Sequence, residues 1–127
     1  MKILWACMSI LLVACSAHVS SSLQVDGARF SPTTCRSGQA NGFAGVELAD
    51  EQGQRLRLAH LLDGSFQALY FPSGSETGEN LGACGTMSTR EGGAVINGIR
   101  NLDGSAALDC GSSKYKVTGS VRFEGCH

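Results

Sequence analysis

Residues 114–126, KYKVTGSVRFEGC, constrain the fold of this chain more than any other stretch. Tyr115, Val117, Val121 and Phe123 recur at period two with Gly119 among them, whereas Lys116, Thr118, Ser120, Arg122 and Glu124 take the alternate positions. Such alternation is the side-chain geometry of a pleated strand with one face in a core and one in water, and no helix sorts these residues so cleanly. A strand of this kind buries nothing alone. It needs hydrogen-bonded neighbours and a second layer over its apolar face.

Turn signals mark the neighbours. Asp103-Gly104 is a dipeptide favoured in tight hairpins, where both central residues take positive φ, so residues 94–101 are expected to pair with 105–110, and those with 114–124. Earlier strands are expected near 23–30, 43–49, 54–62, 65–72 and 83–90, separated by DEQG, LDG, SGSETGEN and REGG. Seventeen glycines against two prolines, Pro32 and Pro72, fit a turn-rich β chain, and 127 residues suit one domain. No long segment keeps a helical period. The expectation is an all-β domain over 23–127, a small antiparallel β-sandwich or barrel of about seven to eight strands.

Ahead of this domain, Lys2 precedes an uncharged run from Ile3 to Ala14. At ~1.5 Å per residue the run spans ~18 Å, short of the ~30 Å hydrocarbon layer, and it fits a targeting segment better than a membrane span. It ends in Leu12-Val13-Ala14-Cys15, which resembles the lipobox of bacterial lipoproteins. The resemblance covers the processing region only. It implies a signal peptide over 1–14, a diacylglycerol on the Cys15 sulfur, an acylated new amino terminus, and, with Ser16 in place of aspartate, sorting to the outer membrane. Each buried methylene contributes ~0.8 kcal/mol, so two or three chains hold a domain at a bilayer almost irreversibly. The competing reading is cleavage after Ala17, which releases a secreted protein. Residues 15–22, ending in SAHVSSS, read as a lipidated flexible tether in which His18 is solvated.

Cys7 leaves with the signal and Cys15 carries lipid, so Cys35, Cys84, Cys110 and Cys126 remain, an even set in an exported chain. No Cys-x-x-Cys pair or zinc spacing occurs among them, and two disulfides are expected. A regular hairpin around GSSK puts Cys110 near Tyr115 and leaves Cys126 some ~35 Å along the strand, which argues against joining Cys110 to Cys126. The preferred pairing is Cys35 to Cys126, tying the first loop to the end of the chain, with Cys84 to Cys110 inside the sheet.

Sites of chemistry are sparse. His60 shares a face with Leu56, Leu58 and Leu62 and reads as a core or rim histidine; His127 is the last residue. The chain has no Gly-x-Ser-x-Gly elbow, metal-type histidine pair or phosphate loop, and Asp50, Glu51, Glu76 and Glu79 lack the dense oxygen pattern of a calcium loop. Neither an enzyme nor a cofactor nor a metal is proposed by these residues. A net charge of −1 gives no field for nucleic acid. Two features suit binding. Arg55 and Arg57 point the same way on a strand, where paired guanidinium groups can grip the carboxylate or phosphate of a lipid head group or acidic glycan. In ALYFP, Leu69 and Phe71 share one face and Ala68 and Tyr70 the other, so either both faces are covered or one is an apolar patch for a protein partner. The function expected is a lipid-anchored binding or structural module of the cell envelope. The runner-up is a small inhibitor or accessory inserting loop 73–82 or 31–42 into an enzyme's cleft, and a hydrolase ranks third.

Overall fold

The alternating C-terminal stretch is a strand, and it lies inside one of two antiparallel sheets. The structure, a computed structural model, describes residues 17–62 and 66–127. In chain order the strands are β1 (His18–Ser21), β2 (Leu23–Val25), β3 (Ala28–Phe30), β4 (Thr34–Ser37), β5 (Gly45–Ala49), β6 (Arg55–His60), β7 (Phe66–Phe71), β8 (Glu79–Gly82), β9 (Thr86–Ile96), β10 (Ile99–Gly111) and β11 (Lys116–Cys126). Among the described residues the one helical piece is a 3-10 turn over Gly38–Asn41. One sheet runs β3-β2-β11-β10-β9, with β1 also paired to β11; the other is a meander, β4-β5-β6-β7-β8.

The inward positions of both sheets meet in one core. Leu23, Phe30, Leu108, Val117, Val121 and Phe123 come from the six-stranded sheet, and Val46, Leu48, Leu56, Leu58, Ala68 and Tyr70 from the other. The period-two pattern read from the sequence is therefore the burial pattern, as in an all-β sandwich. Both disulfides are those preferred above. Cys35 on β4 bonds Cys126 on β11 and clamps the two sheets; Cys84, between β8 and β9, bonds Cys110 on β10. Cys110 sits opposite Val117, at the far end of β11 from Cys126.

Several expectations are corrected. The hairpin turn is Asn97-Gly98, with φ of 51° and 78°, and Asp103-Gly104 lies within β10. Residues 86–96 are consequently one strand, where the turn signals suggest two. Asp103 and Gly104 serve packing: Asp103 Oδ1 accepts a hydrogen bond from the Gly125 amide at 2.8 Å, and the missing side chain of Gly104 makes room for the Phe123 ring. Residues 23–30 are two strands, folded at Asp26-Gly27 with φ of 51° and 81°. Strands β4 and β8 carry too few apolar residues to announce themselves, and with β1 they raise the number to eleven.

The tether is also corrected from His18 onward. Strand β1 pairs with β11, His18 opposite Glu124 and Val19 opposite Phe123, and Ala17 and Val19 pack against the core. At the junction of β1 and β2 the Ser22 carbonyl lies against Gly119, whose φ of 115° and absent Cβ permit that approach. The lipobox residues Leu12–Cys15, Cys7, the rest of 1–16 and the turn at Asp63-Gly64 lie outside the described residues.

Candidate binding surfaces

Arg55 and Arg57 are two residues apart on β6 and so project from one face of it, the outer face of the five-stranded sheet. The register places Glu47 of β5 and Leu69 of β7 on either side of Arg57, and Phe71 beside Arg55. Arg57 donates from NH2 and Nε to Glu47 Oε2 at 2.9 and 3.2 Å, and Arg55 donates to Oε1 at 3.3 Å. The Arg55 guanidinium lies 4.2 Å above the Phe71 ring; that of Arg57 is 4.7 Å from the Phe43 centroid and 5.4 Å from that of Phe71. Each cation thus holds an internal carboxylate and an aromatic face at once.

This arrangement decides both sequence-level alternatives. The carboxylate gripped by the arginine pair is the protein's own Glu47, and Phe71, only 6% exposed, is covered by guanidinium groups rather than left as an apolar patch. Burial alone pushes the Glu47 carboxyl up, but hydrogen bonds and charge from Arg57 and Arg55 outweigh it and hold the carboxyl below its ordinary value. Arg36 on β4 stands opposite Glu47 in the register and is exposed.

Of the five residues expected in a binding role, Arg55, Arg57, Leu69 and Phe71 share that face and Tyr70 does not. Tyr70 is buried in the core, its ring 4.8 Å edge-on from that of Tyr115. Its hydroxyl donates to Gln54 Oε1 at 2.6 Å, and Gln54 Nε2 donates to Asp50 at 2.7 Å, closing the β5–β6 turn. Burial, with the nearby Tyr115, Asp50 and Asp26, pushes the phenol above its ordinary value. The outer face of the six-stranded sheet is a shallow trough of small hydroxylated side chains, including Ser20, Ser88, Ser105 and Ser120, crossed by Arg122.

Sequence reasoning missed a third surface. The large apolar side chains exposed among the described residues are Leu61, Leu62, Val95 and Ile96. Leu61 and Leu62 follow the end of β6. Val95 and Ile96 flank the Asn97-Gly98 turn at the tip of an arm formed by the outer ends of β9 and β10. The arm starts at a bulge where residues 92–94 stand opposite Asn101, whose Oδ1 accepts from the Ala94 amide at 3.0 Å. His60, Glu91, Arg100 and Leu102 line one depression of about 180 Å³, which places the end of β6 beside the root of the arm. The signal available in the sequence is AVINGI itself, an apolar cluster around an Asn-Gly turn. It is masked by the competing turn signal of Asp103-Gly104.

Among the described residues no group of His, Cys, Asp and Glu is placed to hold a metal ion, and no helix is long and apolar enough to cross a membrane. Comparison with protein-family models, curated proteins and solved structures finds no match to this chain.

Proposed function

We propose that this chain is a lipoprotein of the bacterial cell envelope, held in the outer membrane by acyl chains on Cys15, and that its β-sandwich is a binding or structural module carried at the membrane surface. The observation that carries the reading is the position of the fold relative to Cys15. Core packing reaches back at least to Ala17, two residues after Cys15 in the sequence. Two disulfides fit the same address, because they require an oxidising, non-cytoplasmic compartment. Cleavage after Ala17 would instead leave His18, the first residue of β1, as the free terminus.

The arginine pair, occupied by Glu47, lends little support to capture of an acidic glycan or lipid head group, and the module's partner is better sought at the loops. The accessory reading retains one supporting observation. Loop 72–78 lies beside Lys114 and Tyr115, at the end of the sandwich opposite the start of β1, where a domain anchored through Cys15 would present it away from the lipid.

Growth with a clickable palmitate analogue, followed by mass spectrometry of the amino-terminal peptide, tests the anchor. An acylated peptide beginning at Cys15, abolished by Cys15→Ala, is the expected result. An unmodified peptide beginning at His18 would overturn it.

A further inference from the structure

We infer that the end of the sandwich bearing the β9–β10 arm is a second membrane contact, seating Val95, Ile96, Leu61 and Leu62 in the interfacial layer of the bilayer beside the acylated Cys15; the inference rests on the anchor reading above.

The register carries the argument. Strand β1 runs antiparallel to β11 with His18 opposite Glu124, so the chain toward Cys15 leaves the sheet past the Cys126 end of β11. Strand β10 flanks the other edge of β11 with Leu102 opposite Cys126, and its residues 99–101 continue past that same end into the arm. Anchor and arm therefore leave one end of one sheet, separated by two strand spacings, ~10 Å. His18 stands level with Glu124, and Cys15 precedes it by three residues in the sequence. The Asn97-Gly98 tip stands about six residues beyond Glu124, so even a fully extended lead of three residues would leave the tip roughly 10 Å farther out at strand rise. That overreach matches the ~5 to 10 Å depth at which apolar side chains settle in the headgroup and acyl boundary.

The distribution of exposed apolar residues is an independent observation. All four large apolar side chains exposed among the described residues emerge at this end, on two loops that are remote in sequence. The opposite end is built from the turns at 26–27, 50–54, 72–78 and 112–115, which carry Asp26, Asp50, Glu51, Glu76 and Lys114. A molecule so divided end to end suits an anchor that fixes which end meets lipid. Charge points to the apolar layer rather than to anionic head groups. Arg90, Arg100 and Arg122 line the depressions near the arm together with Glu91, Asp103 and Glu124, three cations to three carboxylates, leaving no basic surplus.

The test expresses the full-length precursor with Trp5→Phe and Ile96→Trp and purifies it from the cell envelope, so that the introduced indole is the sole tryptophan whether or not residues 1–14 are removed. It is reconstituted in phosphatidylcholine vesicles with acyl chains brominated near the glycerol end. A companion carries Trp5→Phe and Thr77→Trp, placing the indole on the opposite end. The expected result is a blue shift and loss of most of the emission for the indole at 96, with that at 77 unshifted and unquenched, and no dependence on added anionic lipid. Mass spectrometry of the amino-terminal peptide scores the anchor in the same samples. Acylated protein with an unquenched indole at 96 overturns the arm contact alone. Unacylated protein still bound to vesicles with a quenched indole overturns the anchor and supports the arm. Unacylated and unquenched protein overturns both. An indole at 96 shielded from water yet untouched by bromine would mean that protein, a second copy included, covers the arm, and would also overturn the contact.

Discussion

Cys35 and Cys126 stand with their Cα atoms 5.1 Å apart across 91 residues of chain, joining the edge strand of one sheet to the end of the central strand of the other. The second bridge, Cys84 to Cys110, closes only 26 residues. In the chain-entropy account a longer closed loop restricts the unfolded state more, which gives about 4 to 5 kcal/mol for the first bridge and about 3 to 4 for the second. Replacing Cys35 and Cys126 by alanine should therefore lower stability in urea more than replacing Cys84 and Cys110. The reverse order would show that the sheets are held mainly by their core and that the first bridge adds little.

Val19 tests where the domain begins. Its side chain packs against the core opposite Phe123. Val19→Asp would press a carboxylate against that apolar surface, and a loss of ~1 to 3 kcal/mol is expected. A residue in a flexible tether would tolerate the change within ~0.5 kcal/mol. Thermal or urea unfolding of the disulfide-intact protein distinguishes the two.

Glu47 should impose an acid limb on the stability curve. Its folded-state carboxyl is held below the ordinary value of 4.5 by Arg57 and Arg55. A depressed carboxyl contributes stability that is fully present above the unfolded-state value and is lost as pH falls through the folded-state value. Unfolding free energy should thus decline below about pH 4.5 in the wild type and decline less steeply in Glu47→Gln. Equal slopes in the two proteins would remove Glu47 from the acid response. At neutral pH the same variant should be the less stable, because two guanidinium groups over Phe43 and Phe71 lose their shared partner.

The fold class was legible because the strands that build the core alternate strongly. Leu56, Leu58 and Tyr70, or Val117, Val121 and Phe123, carry their burial in their spacing. Strand length kept Cys110 and Cys126 apart, which removed one of three possible pairings, and the structure takes the preferred one of the two that remained. Strand β1 was illegible for the converse reason. HVSS holds one apolar residue, and what makes it a strand is the free edge of β11, supplied from more than a hundred residues away. The candidate site was half legible: the spacing of Arg55 and Arg57 fixed their common face, but Glu47, which occupies them, joins only through the register of β5 against β6. The exposed apolar end depended on placing one turn correctly.

The choice between the two possible turns gives the sharpest mutational contrast. Both Asn97-Gly98 and Asp103-Gly104 can adopt the mirror-image hairpin turn, and they lie six residues apart in a stretch where either would close a hairpin. In the structure Gly98 has φ of 78° and a Cβ added there would meet nothing within 4 Å, so Gly98→Ala encounters only backbone strain. That strain is about 1 kcal/mol and falls on the arm, outside the core. At Gly104 no left-handed conformation is needed, but an added Cβ would run into the Ser88 carbonyl and lie 2.8 Å from the Phe123 ring, inside the core of the six-stranded sheet. Gly104→Ala should therefore cost ~1 to 3 kcal/mol of global stability by overpacking. Gly98→Ala should instead leave the global transition nearly in place and raise amide exchange mainly near residues 95–100. Were Asp103-Gly104 the turn, the global penalty would be small at Gly104, and amide exchange would rise around residues 101–106 instead.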